Sequence, residues 1–279
     1  FSTGLVIRGG NTDQNLILLD GITVYNPSHL GGLFSNFIVD AVKEAELIKG
    51  GYNAEYGGRL SAVLDIRSRE GNRNKFEGSS SISVLSAQTT LEGPFLNGAW
   101  LLAGRRTYFD KVLPLVSDFN LPYYFYDLQG HVFTDLNEKD RLSLSFYRGV
   151  DDLKYTDLDL NSDWGNETMS LAYRHVFSEK MIGNFLAANS RFYTRFGLGG
   201  DSGINEYNPL RDITFAGDIS YFKTQDFNLF FGAEFKKLSI TYDSRFNGET
   251  IFFSETDPNQ LALYTKLRWK PNQKIIIEP

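Results

Sequence analysis

Residues 142–146 read Leu142-Ser143-Leu144-Ser145-Phe146, with an apolar side chain at every second position and a polar one between. A β-strand turns successive side chains to opposite faces, so this alternation predicts an antiparallel strand with one apolar face. The same period of two recurs through the second part of the chain, in segments 169–174, 213–221, 227–236 and 261–270. Together these segments predict a long run of antiparallel strands.

The lengths of the connections indicate what kind of sheet the strands form. Ten complete strands are predicted, near 75–86, 87–95, 98–108, 123–135, 140–152, 165–177, 181–196, 211–223, 227–243 and 259–269, and another begins at Gln273. Short turns near 96–98, 136–140, 178–180, 224–227 and 270–273 alternate with longer polar connections near 109–122, 153–164, 197–210 and 244–258. This asymmetry is typical of a membrane barrel with short turns at one rim and long loops at the other. A soluble β-sandwich is the alternative.

Composition excludes several classes of protein. The chain has no Cys, which excludes a disulfide scaffold and a thiolate site, and its net charge of −6 argues against a nucleic-acid binder. No apolar stretch approaches the roughly 18 residues of a transmembrane helix. Barrel strands alternate lipid-facing and lumen-facing residues, which fits a mean hydropathy of −0.28.

Residues 1–72 follow a different pattern from residues 75–279. They are rich in Gly and contain short apolar runs at 16–19, 46–48 and 63–66, each bounded by Gly or Asp. Such runs predict short buried strands joined by tight turns. Segment 35–42 is the best helical candidate, with Ser35 or Asn36 as its N-cap. The N-terminal part is therefore predicted to be a small α+β domain.

Five motifs occur in order within this N-terminal part. They are Val6-Ile7-Arg8-Gly9-Gly10, the segment 14–24 containing Asp20-Gly21, the segment 41–51 ending in Gly50-Gly51, Ala54-Glu55-Tyr56-Gly57-Gly58-Arg59, and Ala62-Val63-Leu64-Asp65-Ile66. Together they resemble the plug domain of TonB-dependent outer-membrane receptors. Segments 67–72, 91–94 and 104–108 resemble the Bacteroidetes-type branch, whose members often carry a carboxypeptidase-like regulatory domain ahead of the plug.

The resemblance implies an α+β plug followed by an all-β transmembrane antiparallel barrel. Residues 1–72 would be the C-terminal part of the plug, and residues 75–279 the first 10–11 of about 22 strands. The implied role is energy-coupled uptake of a siderophore, cobalamin, glycan or peptide across the outer membrane of a Gram-negative cell. The implied partners are the TonB–ExbB–ExbD complex, acting through an N-terminal box that precedes this sequence, outer-membrane lipid and a surface lipoprotein. No enzyme activity, cofactor or nucleic-acid partner is expected.

The candidate site residues follow from the plug motifs. Arg8, Arg59 and Arg67 are predicted to reach barrel carboxylates, because guanidinium groups bind carboxylates in bidentate geometry; pairing within the plug or solvation is the alternative. The motif glycines, Gly9, Gly10, Gly21, Gly50, Gly51, Gly57 and Gly58, are expected to permit positive φ and close strand approach. Glu55 and Tyr56 belong to the same motifs, and Asp20-Gly21 predicts a hairpin turn. Tyr25, Asn26 and His29 are the ligand-binding candidates.

Two other functions stay open. A passive porin or structural barrel would keep its plug permanently in place, and a barrel enzyme would need a catalytic site. His29, His131 and His175 lack metal-ligand spacing, and no Gly-x-Ser-x-Gly motif is present, so no catalytic or metal site is predicted. The acids Asp151, Asp152, Asp157, Asp159 and Asp163 do not match a calcium loop and are predicted to lie in a solvated external loop.

Overall fold

The computed structural model describes residues 14–50, 53–116, 121–272 and 274–278. Arg8, Gly9, Gly10 and Gly51 of the predicted site lie outside the described residues.

A four-stranded sheet forms the centre of the N-terminal domain. Its strand order is β2-β1-β6-β5, and β1 runs parallel to β6 while the other two pairs are antiparallel. The strands are β1 (Leu16–Leu19), β2 (Ile22–Thr23), β5 (Val42–Ile48) and β6 (Val63–Ser68), and a small separate hairpin is formed by β3 (Ser28–His29) and β4 (Phe34–Ser35). The short buried strands predicted for this domain are confirmed.

The turn between β1 and β2 is the predicted Asp20-Gly21 hairpin turn. Both residues have positive φ, 51° and 82°, which is the geometry of a type I′ turn. The Asp20 carboxylate also accepts hydrogen bonds from the Ser68 amide at 2.8 Å and the Ser68 hydroxyl at 2.7 Å. These bonds join the turn to the end of β6.

The helix predicted for segment 35–42 is wrong. The segment contains only a 3-10 turn, Val39–Ala41, and β5 begins at the next residue. Ile38 and Ala41 are fully buried, and they pack against Leu101 and Ala103 of the second domain. The helix-like spacing of the apolar residues therefore reflects a contact with that domain, and the pairing of β5 with β6 holds the following backbone extended.

The second domain is one antiparallel sheet of 12 strands. Consecutive strands are neighbours except at β16, which pairs with the part of β15 nearest the β15–β16 turn, while β17 pairs with the rest of β15. The strands are β7 (Glu77–Ile82), β8 (Ser86–Phe95), β9 (Gly98–Thr107), β10 (Tyr123–Asp135), β11 (Asp140–Tyr155), β12 (Leu160–Ser178), β13 (Met181–Leu198), β14 (Ile204–Thr224), β15 (Phe227–Phe246), β16 (Glu249–Thr256), β17 (Asn259–Asn272) and β18 (Ile275–Ile277). The short turns fall where the sequence predicted them, and we call this rim the turn end.

At the opposite rim, the loop end, the predicted long connections are largely wrong. Only residues 156–159 separate β11 from β12, only residues 199–203 separate β13 from β14, and segment 244–258 contains β16. The connection at 109–122 contains the helix α1 (Phe109–Val116). Polar residues such as Lys154 and Asn161 continue the cross-strand pairing beyond the apolar part of the strands. Their polarity marks the end of the apolar band, while the strands themselves continue.

Burial along the strands is the reverse of that in a soluble sandwich. On β12, Ser170 is 3% exposed and Leu171 is 46% exposed; on β14, Thr214 is buried while Ile213 and Phe215 are exposed. The polar face is covered by the N-terminal domain, and the apolar face points away from it. A sandwich would bury the apolar face, so the predicted barrel wall is confirmed over that alternative. No helix among the described residues is long and apolar enough to cross a membrane.

Candidate functional site

The loop after β2 crosses the inner face of the sheet and makes one polar contact after another. The Tyr25 hydroxyl donates to Asp212 Oδ2 on β14 at 2.7 Å. Asn166 Nδ2 on β12 donates to the Asn26 carbonyl at 2.5 Å, and the Asn26 amide donates to Asn166 Oδ1 at 3.4 Å. Burial and the Asp212 bond raise the pKa of Tyr25, which keeps its hydroxyl protonated as a donor.

Thr23, at the end of β2, fixes the start of this loop to two further strands. Ser190 Oγ on β13 donates to the Thr23 carbonyl at 2.7 Å. Lys236 Nζ on β15 donates to Thr23 Oγ1 at 3.2 Å. The loop is thus tied to β12, β13, β14 and β15 within four residues.

His29 is the most deeply buried of these contacts. The residue is 0% exposed, and its ring lies between two carboxylates of the sheet. Nδ1 is 2.7 Å from Asp151 Oδ2 on β11, and Nε2 is 2.8 Å from Asp127 Oδ1 on β10. The ring also stacks on Phe125, with a centroid separation of 4.0 Å and an interplanar angle of 7°. Both edges and one face of the imidazole are therefore occupied by the barrel wall.

The two carboxylates are held by further barrel side chains. Asp127 accepts hydrogen bonds from Arg105 Nε at 2.9 Å and from the Tyr147 hydroxyl at 2.7 Å. Asp151 accepts a bond from the Tyr123 hydroxyl. Arg105 also donates to the Ser35 carbonyl at 2.6 Å, so it joins β9 directly to the N-terminal domain. We call His29, Asp127, Asp151 and Arg105 the histidine clamp.

The geometry of the clamp suits a charged imidazole. A neutral imidazole has one N–H and one lone pair, so it donates to only one carboxylate. In the clamp both ring nitrogens are within hydrogen-bond distance of carboxylate oxygens. Burial opposes the charge, but the hydrogen bonds to Asp127 and Asp151 outweigh it, and the pKa of His29 lies above its ordinary 6.5. With His29 protonated, the two buried carboxylates of the clamp, Asp127 and Asp151, face its two cations, His29 and Arg105.

More polar contacts surround the clamp along the rest of the interface. They are the bond from Gln88 to Asp40 at 3.0 Å, the bond from Gln129 to Ser68 at 3.0 Å, and the ion pairs Arg69–Glu92 at 2.6 Å, Arg141–Glu70 at 3.1 Å and Lys266–Glu55 at 3.5 Å. The interface therefore combines many hydrogen bonds and ion pairs with the apolar packing of Ile38 and Ala41 against the barrel wall.

The structure places the two described arginine candidates differently. Arg67 pairs with Glu44 at 3.2 Å and with Asp65 at 3.4 Å. Both partners belong to the same domain as Arg67, which matches the alternative of pairing within the plug and not a contact with a barrel carboxylate. Arg59 donates to the Gly58 carbonyl at 3.0 Å and lines a cavity of about 420 Å³ that is also lined by residues of β15 and β17.

The remaining motif residues support the local backbone. Gly50 and Gly58 have positive φ, as expected, and Gly57 does not. Glu55 reaches Lys266 of the barrel, and the Tyr56 hydroxyl donates to Asp65 at 3.4 Å.

Tyr25, Asn26 and His29 come together at the interface between the two domains. Their assignment to ligand binding stays a prediction, and the histidine clamp encloses the ring of His29. Asp151 is placed wrongly by the sequence, since it is buried on β11 and does not lie in a solvated loop. Asp127, Arg105 and the Arg69–Glu92 pair were not predicted.

Comparisons with known proteins agree with this arrangement of a small domain inside a barrel wall. Residues 1–63 match the family model of the TonB-dependent receptor plug domain. The siderophore receptor PirA from Pseudomonas aeruginosa has a similar structure, with a TM-score of 0.71, 16% identity and coverage of 95% of this chain and 47% of that chain. No curated protein sequence matches the chain.

Two further solved structures have the same fold. The siderophore receptor PiuA from Acinetobacter baumannii has a TM-score of 0.68 at 14% identity, and covers 98% of this chain and 50% of that one. The copper transporter OprC has a TM-score of 0.67 at 10% identity, with coverage of 94% and 45%. The chain thus spans about half the length of the structures it matches.

The chain thus consists of a small N-terminal domain held against the inner face of a β-barrel wall. More specifically, its N-terminal part is a TonB-dependent receptor plug domain, and the sheet that follows has the fold of the barrels of these receptors. The predicted recognition is confirmed at this level, and the Bacteroidetes-type branch stays a prediction.

Proposed function

We propose that the chain is part of an outer-membrane receptor that takes up a scarce or bulky ligand by energy-coupled transport. The observation that carries the proposal is a plug-family domain attached to a barrel wall through buried polar contacts centred on His29. Polar contacts can be exchanged for contacts with water at a net cost of only about 0.5–1.5 kcal/mol each, so such a plug can be displaced and can return. In this proposal the loop end of the barrel wall faces the outside of the cell.

The energising partner is the TonB–ExbB–ExbD complex, which would pull on the plug from the periplasmic side. Siderophore–iron complexes are the first ligands to test, because PirA and PiuA are described as siderophore receptors. A copper complex comes next, because OprC is described as a copper transporter. Cobalamin, glycans and peptides complete the panel.

The experiment measures uptake of each radiolabelled ligand by cells that express the full-length protein, with and without the energising complex. Energy-coupled transport predicts uptake that is lost when the complex is deleted. Unchanged uptake would favour a passive porin. Turnover of a ligand by the purified protein would favour a barrel enzyme.

A crosslink between plug and barrel tests the same proposal from the structure. Glu55 and Lys266 are both partly exposed and lie 3.5 Å apart across the interface. Because the chain has no native Cys, the variant Glu55→Cys/Lys266→Cys can be joined selectively by a short reducible bifunctional thiol reagent. Uptake should stop on crosslinking and recover on reduction, while the Glu55→Cys single variant should be unaffected by the reagent. Uptake that continues through the crosslinked protein would contradict a moving plug.

A further inference from the structure

Helix α1 connects β9 to β10 at the loop end, and its first turn is fixed to the barrel wall. Arg106 of β9 donates a hydrogen bond to Asp110 Oδ2 at 3.2 Å. The Tyr108 hydroxyl donates to the Ser86 carbonyl of β8 at 3.2 Å. These contacts hold the start of the helix, where Phe109 lies, against the loop end of the wall.

Phe109 contacts an aromatic side chain of each domain. Its ring centroid lies 6.1 Å from that of Phe34 on β4 and 6.4 Å from that of Tyr123 on β10. Phe34 in turn lies 5.4 Å from Phe125, and Phe125 stacks on His29 at 4.0 Å. We call Phe109, Phe34, Tyr123 and Phe125 the aromatic cover. It joins helix α1 to the histidine clamp.

The aromatic cover encloses the clamp on the side of the loop end. Tyr123 and Phe125 precede Asp127 on β10, and they are 0% and 1% exposed. Phe34 and Phe109 form the rim of the cover and are partly exposed. An ion pair is stronger where water is excluded, because the effective dielectric constant is lower there. The strength of the clamp therefore depends on the cover.

The cover shields the polar groups that surround the ring of His29. These are two carboxylates, a guanidinium and two phenol hydroxyls, namely Asp127, Asp151, Arg105, Tyr123 and Tyr147. Water that reached them would solvate each carboxylate in place of the imidazolium and would screen the ion pairs. Phe109 has no polar side-chain atom, so it can affect these charges only by keeping the cover in place.

We propose that Phe109 is a positioning residue of the histidine clamp: through the aromatic cover, helix α1 keeps water away from His29, and movement of α1 away from the wall weakens the hold on the plug. The proposal rests on the proposed function, in which the loop end faces the outside of the cell and the ligand arrives from that side. A ligand that draws α1 outward then loosens the plug before the energising partner pulls on it.

The test measures how fast maleimide labels the variant Ser68→Cys in the purified full-length protein. Ser68 is buried at the interface and the chain has no Cys of its own, so labelling reports opening of the plug. Phe109→Ala should accelerate labelling about tenfold, because aromatic contacts at a partly exposed position are lost. Leu115→Ala is the matched control, since Leu115 lies on the same helix and is 82% exposed. Its rate should stay within about twofold of the parent.

A His29→Ala background shows whether Phe109 acts through the clamp. If it does, most of its effect disappears with the clamp, and Phe109→Ala should add about threefold or less there. The rise of labelling with pH that follows loss of the His29 proton should also be shallower in Phe109→Ala. An undiminished effect in the His29→Ala background, an unchanged pH profile, or a rate no faster than that of Leu115→Ala would each overturn the proposal.

Folding and transport are controlled separately. A heat-dependent gel shift reports whether each variant forms a barrel. If Phe109→Ala does not, Phe109→Leu replaces it; this variant keeps an apolar side chain without the ring and should accelerate labelling about threefold, with the same dependence on His29. Because labelling needs neither ligand nor energy, energy-independent uptake would contradict the transport proposal and leave the role of Phe109 standing. Energy-dependent uptake together with an unaltered labelling rate would overturn only the role of Phe109.

Discussion

Replacing His29 by alanine should loosen the plug more than any other single truncation at the interface. The imidazole is fully buried and contacts two carboxylates, at 2.7 Å and 2.8 Å. The variant leaves Asp151 without a cation, while Asp127 keeps Arg105 at 2.9 Å. Breaking a buried ion pair by removing one partner costs about 3–5 kcal/mol, because the other charge stays buried and uncompensated.

We take the lower end, about 3 kcal/mol, because Arg105 still compensates one of the two carboxylates. At about 1.4 kcal/mol for each factor of ten, the equilibrium constant for opening of the plug should rise roughly 100-fold. Ser68→Cys provides the reporter, since Ser68 is buried between the plug turn and Gln129 of the barrel and the chain has no other Cys. The rate of maleimide labelling of this cysteine follows the opening equilibrium when reclosing is faster than labelling.

The matched control is His175→Ala in the same Ser68→Cys background. His175 Nδ1 lies 2.5 Å from Asp140 Oδ1, which is the same chemistry, but both residues belong to the barrel wall. Labelling in this control should stay within about twofold of the parent, as for substitutions away from the interface. A His29→Ala rate that is unchanged, or no faster than the control, would refute the idea that the clamp holds the plug.

Other predictions use the same labelling assay. Because the pKa of His29 is raised above 6.5, its contribution to holding the plug is fully present below pH 6.5 and is lost as pH rises through the raised value. After correction for the intrinsic reactivity of a free thiol, labelling should therefore accelerate with pH in the parent and not in His29→Gln. Equal pH dependence in both proteins would contradict this. Gly149→Ala should increase labelling at least tenfold, roughly the effect of overpacking a buried site. The added Cβ would lie 1.9 Å from the Tyr147 hydroxyl and 2.8 Å from Asp127 Oδ1, so these two side chains would have to move. An unchanged rate would show that the clamp tolerates their displacement. Arg105→Lys should increase labelling measurably, but less than His29→Ala does. The ammonium group keeps the positive charge, while the planar guanidinium that joins Asp127 to the plug is lost. A labelling rate equal to that of the parent would show that the charge alone is sufficient.

The sequence predicted the barrel strands well because one rule, alternation of apolar and polar residues, applies along their whole length. The prediction is wrong at the loop end because polar residues interrupt the alternation there, and a loss of alternation predicts the end of a strand. Lys154 and Asn161 are paired in register although neither is apolar. Cross-strand hydrogen bonding, which leaves no trace in composition, continues the sheet.

The same alternation could have located half of the histidine clamp. Ser143 and Ser145 lie on the polar face of β11, and counting on by twos from them reaches Tyr147, Gly149 and Asp151. Asp151 should therefore face inward, where a carboxylate needs a partner. The partner itself could not be predicted, because His29 lies more than a hundred residues earlier in a loop whose path across the sheet depends on the folded plug.

Exposure divides the contacts at the interface into two kinds, and this division decides what resists opening. The side chains of Lys266 and Glu55 are 21% and 32% exposed, and ion pairs in such positions contribute about 0–1 kcal/mol because water screens them and can replace each partner. The side chains of His29 and Asp151 are 1% and 3% exposed, so water cannot replace either partner until the plug has already moved. The resistance to opening is therefore concentrated at the clamp. Since the clamp depends on a proton on His29, anything that removes that proton or draws Asp151 away weakens the plug at the point where it is held most strongly.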